Sequence, residues 1–262
     1  MARFCPLFSG SSGNSTFVGN AQEGLLVDAG VSCKRILEAL AERDIPQEII
    51  RGILVTHEHS DHIKGLKVLT KRLKVPVYSS APVLEYLAQN ECVSPDCRLM
   101  ELEPDNEIAG MRVTPFHTPH DAVDSMGFRF ETGDSRILAI ATDLGYVTQE
   151  VKEHILGAHL VMLESNYDVR MLECGTYPYF LKQRIKSSRG HLSNDDCAQQ
   201  VSELVKAGTA RVFLAHLSKE NNLPQLAYEH TRYSLQEIGA KENYDYLLQV
   251  APRDIPAELM VF

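Results

Sequence analysis

The chain has 262 residues, 44% of them hydrophobic and 23% charged, with a formal net charge of −9. A chain this long buries a core without covalent staples, and the composition is that of an ordinary globular protein. The acidic balance argues against a surface that coats nucleic acid generally, although an acidic enzyme can carry a local basic strip beside its site.

Residues Met1–Phe8 show neither a long apolar stretch nor a small-residue cleavage site, so no signal peptide is expected. A short strand then leads into the turn Ser9-Gly10-Ser11-Ser12-Gly13-Asn14-Ser15-Thr16. Such a turn is most simply a hairpin, but it can also offer backbone N–H groups to a phosphate. Leu25–Val27 reads as a buried strand ending at Asp28-Ala29-Gly30, and Ser32 caps a helix with Ile36, Leu37 and Leu40 on one face. Ile53–Val55 is the next strand, and a histidine-rich segment follows at once. Ile63–Leu73 reads as a helix and Val75–Tyr78 as a strand. Further strands are expected at Arg112–Phe116, Phe128–Phe130, Ile137–Ala141, Leu160–Leu163, Arg211–Ala215 and Tyr246–Val250. Helices are expected up to Ile155, over Asn194–Val205, and from Pro224 to about Ile238. No repeat, low-complexity tract or Pro/Ser-rich linker interrupts this alternation, so one domain over residues 1–262 with a layered α/β architecture is expected. Cys5, Cys33, Cys92, Cys97, Cys174 and Cys197 form no C-x-x-C pair. They read as reduced structural thiols, and the protein reads as soluble and cytoplasmic, with no membrane partner.

The chemistry concentrates where strands end, the place a rigid scaffold presents reactive groups. Ile53-Leu54-Val55 delivers His57, His59, Asp61 and His62 directly from a strand end. Imidazole and carboxylate are the donors that zinc and similar divalent ions take. Two histidines two apart can hold one ion from an extended loop, leaving Asp61 and His62 to face a second. A helical zincin site is excluded, because the residue four after His57 is Asp61. Four residues do not saturate two ions, and three later strand ends offer more ligands: His117 or His120, then Asp143, then His216.

This ordered set, H-x-H-x-D-H with His120, Asp143 and His216, resembles the metallo-β-lactamase superfamily. The resemblance implies an αββα sandwich with a dinuclear site at one edge of its sheets. By position it implies His57, His59 and His120 on one metal, Asp61, His62 and His216 on the other, and Asp143 between them. The string Thr118-Pro119-His120-Asp121-Ala122 favours His120 over His117. Two ions, zinc or manganese, would share a bridging hydroxide as nucleophile and clamp an oxyanion, with Asp61 orienting the attack.

The Gly/Ser turn, Glu164-Ser165-Asn166-Tyr167-Asp168, Gly190-His191-Leu192-Ser193-Asn194 and His216-Leu217-Ser218-Lys219-Glu220-Asn221-Asn222 together resemble the YycJ/WalJ-type branch, related to ribonuclease Z. The likeness runs from Ser9 to about Pro224. It implies that Glu164 holds His191 as general acid for the leaving oxygen of a phosphodiester. Lys182, Arg184, Lys186 and Arg189 lie together without an acidic neighbour and read as a phosphate-binding strip. Lys64, Lys67 and Lys71 share a helix face and form a second basic group. Too few residues separate Asp143 from His191 to hold a large cap domain, so an open, shallow site is expected. The expected function is a metal-dependent phosphodiesterase or nuclease on DNA or RNA, with a 5′-to-3′ exonuclease on single-stranded ends implied by the resemblance. The competing classes are a small-molecule metallohydrolase (a cyclic phosphodiesterase or glyoxalase-like thioesterase) and a non-catalytic metal-binding regulator.

Overall fold

The computed structural model describes all 262 residues. Six strands open the chain and build most of one sheet: β1 (Arg3–Phe8), β2 (Ser15–Gly19), β3 (Gly24–Val27), β4 (Ile50–Leu54), β5 (Val77–Ser79) and β6 (Leu99–Glu101). The next seven build the second sheet: β7 (Asn106–Ile108), β8 (Met111–His117), β9 (Met126–Thr132), β10 (Ile137–Ala141), β11 (Leu160–Glu164), β12 (Arg211–Ala215) and β13 (Leu247–Val250). The last strand, β14 (Met260–Val261), returns to the first sheet beside β1. Each sheet is mixed. Strands β3 to β6 run parallel, as do β10 to β13, while the connections within β1–β3 and β7–β10 are antiparallel.

Strand alternation divides the core into three apolar layers. In β3, Leu25 and Val27 join Phe4, Leu54, Phe128, Phe130, Leu160 and Phe213 between the sheets. Leu26, on the opposite face, packs outward against Ile36 and Leu40 of α1 (Cys33–Glu42) and Leu66 and Leu69, two residues that lie beyond the short α2 (Ser60–Ile63) in α3 (Leu66–Leu73). α4 (Ala81–Gln89) covers the same face through Val83 and Leu87. On the second sheet, Ala139, Val161, Val212 and Leu214 face outward in one apolar cluster with Val151 and Ile155 of α5 (Gln149–Ile155). Two short helices, α6 (Val169–Cys174) and α7 (Tyr179–Ile185), form a side excursion with a small core of Tyr167, Leu172 and Ile185. α8 (Asn194–Lys206) and α9 (Pro224–Glu237) complete the outer layer through Cys197, Val201, Ala227 and Leu235. Both sheets are therefore apolar on both faces, as sheets sandwiched by helices must be. The layers are helix, sheet, sheet, helix, the αββα architecture expected. No helix is long and apolar enough to cross a membrane.

Several boundaries differ from the sequence expectation; β4, for example, spans Ile50–Leu54 rather than Ile53–Val55. The helix expected over Ile63–Leu73 breaks between Ile63 and Leu66. A Cβ on Gly65 would lie 1.9 Å from the Val31 carbonyl oxygen, so the chain needs glycine there to pass beneath the β3–α1 turn. β5 and β13 start later than expected, at Val77 and Leu247, where pairing to β6 and β12 begins. The short α6 and α7 had no apolar periodicity long enough to announce them.

Candidate metal centre

The carboxyl ends of the parallel strands point to one edge of the sandwich, the place where open α/β sheets bind ligands. Strand β4 feeds Thr56 and His57, β3 feeds Asp28, β10 feeds Asp143, β11 ends on Glu164 and β12 feeds His216. Asp28, Asp143 and His216 each adopt left-handed backbone, with φ of 63°, 58° and 53°. Three non-glycine residues held this way at three strand ends are strained conformations that cluster where side chains must be aimed.

The ligating atoms converge. His57, His59 and His120 form one group of donors within 4.8 Å of one another, and Asp61, His62 and His216 form another. Asp143 lies between them, with its carboxylate 3.9 Å from His120 Nε2, 3.5 Å from His62 Nε2 and 3.3 Å from His216 Nδ1. His57 Nε2, His216 Nε2 and Asp143 Oδ2 are buried and have no hydrogen-bond partner in the protein. Buried polar atoms are almost always satisfied, so three orphans within this cluster fit cations as the missing partners.

The far ring nitrogens explain how the histidines are aimed. His62 Nδ1 lies 2.7 Å from Asp28 Oδ2, and Asp28 also accepts the Thr56 N–H and hydroxyl. Thr56 Oγ1 is 3.0 Å from His57 Nδ1, and His120 Nδ1 is 3.0 Å from the Gly190 carbonyl. His216 Nδ1 and His191 Nδ1 both lie on Glu164 Oε1, at 2.7 and 2.8 Å. Outer partners of this kind fix the ring orientation and the tautomer of metal-binding histidines. Asn14 closes the cluster from the Gly/Ser turn, with Nδ2 3.1 Å from His62 Nε2. A Cβ on Gly30 would lie 1.6 Å from the Asp61 carbonyl, which is why Asp28-Ala29-Gly30 can lie against the histidine loop.

The electrostatics favour positive charge. Burial alone would lower the pKa of His62, but Asp28, Asp143 and Asp61 raise it to about 9. A carboxylate setting that attracts a proton so strongly attracts a divalent cation too, and the two compete for the same nitrogen. Burial and the neighbouring imidazoles push His57 well below the usual histidine range and hold it in the neutral form that ligates metals.

His117 lies outside the cluster. It is 70% exposed and faces Glu150 and Asp124. The four cations expected to form a phosphate-binding strip each meet a neighbouring carboxylate or carbonyl of the protein. Lys182 donates to the Glu173 and Gly175 carbonyls, Lys186 pairs with Glu173, and Arg189 donates to the His120 carbonyl. Arg184 pairs with Asp121 and alone of the four lines the cavity over the centre. Sequence reading missed Asp28, Thr56 and Asn14 as site residues. The signal available for Asp28 was a charged residue ending a buried strand. That cavity holds about 360 Å³ and is bordered by Ser11, Asp61, His191, Arg184 and Ser218.

A two-sheet sandwich carrying this ligand set at one edge defines a class. Residues 24–217 match the beta-lactamase superfamily domain, and the chain belongs to the metallo-β-lactamase superfamily as a metal-dependent hydrolase. Within that superfamily it is similar to the YycJ/WalJ branch. It is 39% identical over 240 residues to Exodeoxyribonuclease YycJ of Bacillus anthracis, covering 90% of each chain. It is 36% identical over 230 residues to Exodeoxyribonuclease WalJ of Streptococcus pneumoniae serotype 2 (strain D39), covering 86% of this chain and 85% of the relative. The metallo-beta-lactamase fold protein YhfI from Bacillus subtilis superposes with a TM-score of 0.72 over 98% of this chain and 99% of its own, at 15% identity, and so shares the fold.

Proposed function

We propose that this chain is a dinuclear-metal phosphodiesterase that removes nucleotides from single-stranded DNA ends in the 5′-to-3′ direction. The observation that carries the reading is His191. Its Nδ1 is held on buried Glu164 at 2.8 Å, and the ring is 20% exposed and borders the cavity beside the metal-ligand cluster. A histidine anchored at one nitrogen and open at the other can protonate a leaving oxygen. His57, His59 and His120 would hold one ion and Asp61, His62 and His216 the second, with the Asp143 carboxylate beside both groups. Two divalent ions there, zinc or manganese, would polarise a phosphoryl oxygen and supply activated water. Asp61 Oδ2, 3.6 Å from both His62 Nε2 and His216 Nε2, is placed to orient the attacking oxygen. His216 rather than His191 serves as ligand in this reading, because its Nε2 is the buried orphan. Arg184 is the member of the basic group that reaches the substrate. Residues 1–262 form one domain, and the setting is cytoplasmic.

The choice of DNA rests on the names of the two relatives, both exodeoxyribonucleases. The test is incubation of the metal-loaded protein with 5′- and 3′-end-labelled single-stranded and duplex DNA and RNA. The proposal expects labelled mononucleotide released first from the 5′ end of single-stranded DNA. Release first from the 3′ end overturns the direction. Internal cutting overturns the exonuclease mode, and no cutting of any oligonucleotide overturns the nuclease reading.

A further inference from the structure

The cations of the Lys182–Arg189 segment are spent on the protein itself, but Arg253, which lies behind two loops that border the cavity, has no carboxylate partner. Its guanidinium donates once, from Nη2 to the Leu217 carbonyl at 3.4 Å, and its Nε is buried without a partner. The side chain lies against Gly10. A Cβ there would be 3.3 Å from Arg253 Cγ and from the Leu217 carbonyl, and Gly10 has φ of 155°. Glycine at this position therefore brings the Gly/Ser turn onto the arginine. The turn closes with the Gly13 N–H donated to the Gly10 carbonyl, while the Ser11 and Ser12 amides make no hydrogen bond within the protein.

Ser11 and Ser218 border the same cavity as Asp61 and His216. Ser218 is only 8% exposed, and its hydroxyl oxygen accepts the Asn221 N–H at 3.2 Å. Nothing in the protein accepts the Ser218 hydroxyl proton. The turn is tied to the centre, because Ser9 Oγ accepts the His216 N–H at 2.9 Å. Unused donors thus gather on one flank: an arginine, a buried hydroxyl and two turn amides. Donors converging without acceptors describe an anion site, and turn amides backed by arginine suit a phosphate.

We propose that Arg253, Ser218 and the Gly10–Gly13 turn form a phosphate subsite on the His216 side of the cavity. It takes a phosphate of the substrate strand, either the terminal one or the internal one next to the scissile bond. The proposal rests on the nuclease reading above and adds to it the group that fixes where the strand sits. It adds a second cation to Arg184 for holding the strand.

The test compares wild type, Arg253→Gln, Arg253→Lys and Ser218→Ala on single-stranded oligonucleotides with 5′-phosphate and 5′-hydroxyl ends. KM is measured against salt, and binding of a fluorescent oligonucleotide to the metal-free protein is measured alongside. Loss of a charge-assisted contact should raise KM for Arg253→Gln about 10–100-fold, with Arg253→Lys recovering part of it. The slope of log affinity against log salt should flatten by about 0.7, the value for one phosphate of a single strand. Ser218→Ala should raise KM about 2–10-fold and tests the subsite even where Arg253→Gln weakens the fold. A loss confined to 5′-phosphorylated strands assigns the terminal phosphate, and an equal loss on both strands assigns the internal one. Unchanged KM and salt slope in Arg253→Gln and Ser218→Ala, in a wild type that cuts, overturns the subsite alone. A wild type that neither binds nor cuts the oligonucleotides overturns the subsite and the nuclease reading together.

Discussion

Replacing Glu164 with glutamine changes one atom and disturbs four hydrogen bonds. Glu164 Oε1 receives His191 and His216, and Oε2 receives the backbone N–H groups of Leu144 and Leu192 at 3.0 and 3.1 Å. The side chain has no solvent exposure. Burial opposes its ionisation, yet the facing His191 and His216 hold its carboxyl below the ordinary carboxylate range. Glutamine has one accepting oxygen, so its amide nitrogen must face either the two histidines or two backbone donors that cannot turn away. Facing the backbone leaves two buried donors unpaired, at about 1–3 kcal/mol each, or roughly 2–6 kcal/mol in all. For a chain of this size that is a fall in melting temperature of about 4–24 °C. Facing the histidines instead puts the proton of His216 on Nε2, the nitrogen assigned to metal. Melting of the metal-free protein together with metal content of the loaded protein therefore reads both routes. A Glu164→Gln variant with wild-type melting and wild-type metal content would refute the claim that this carboxylate anchors both rings.

His191→Ala should keep its metal and lose about 10²–10⁴-fold in turnover on a substrate with a poor leaving group, with a smaller loss on an activated aryl phosphodiester; metal content and the two rates check it. Asp28→Asn should weaken metal binding about 10–100-fold, since asparagine tolerates the left-handed backbone but cannot orient His62 as a carboxylate does; His117→Ala, on the exposed side, should bind metal as wild type does. With the His62 pKa raised to about 9, its proton is present in the metal-free protein at neutral pH and must leave when metal binds. Calorimetry at pH 7.5 in buffers of different ionisation enthalpy should show net proton release, and metal affinity should fall as pH drops.

Much of the centre was legible because its first half is local. His57, His59, Asp61 and His62 sit within six positions, and no packing role explains so many titratable groups directly after a buried strand. His120, Asp143 and His216 were legible only by their place at strand ends, and their convergence depends on both sheets opening at the same edge. Thr56 and Asn14 were not legible, because a single polar residue that aims a ligand leaves no periodic trace, and Asp28 showed only as a charge ending a buried strand. The basic group from Lys182 to Arg189 was legible as a run of charge, but its partners were not. A run of like charge says nothing about Glu173, Asp121 and the backbone carbonyls that the fold brings against it. Likewise, Arg253 belongs to no run, and only the fold sets it behind Gly10.

The central claim is that two ions share this centre through Asp143. Elemental analysis of the purified protein, before and after soaking with zinc or manganese, tests it most directly. The account predicts about two ions per chain in wild type, with Asp143→Ala losing both. A wild type that never exceeds one ion per chain, or an Asp143→Ala variant that keeps two, would contradict it.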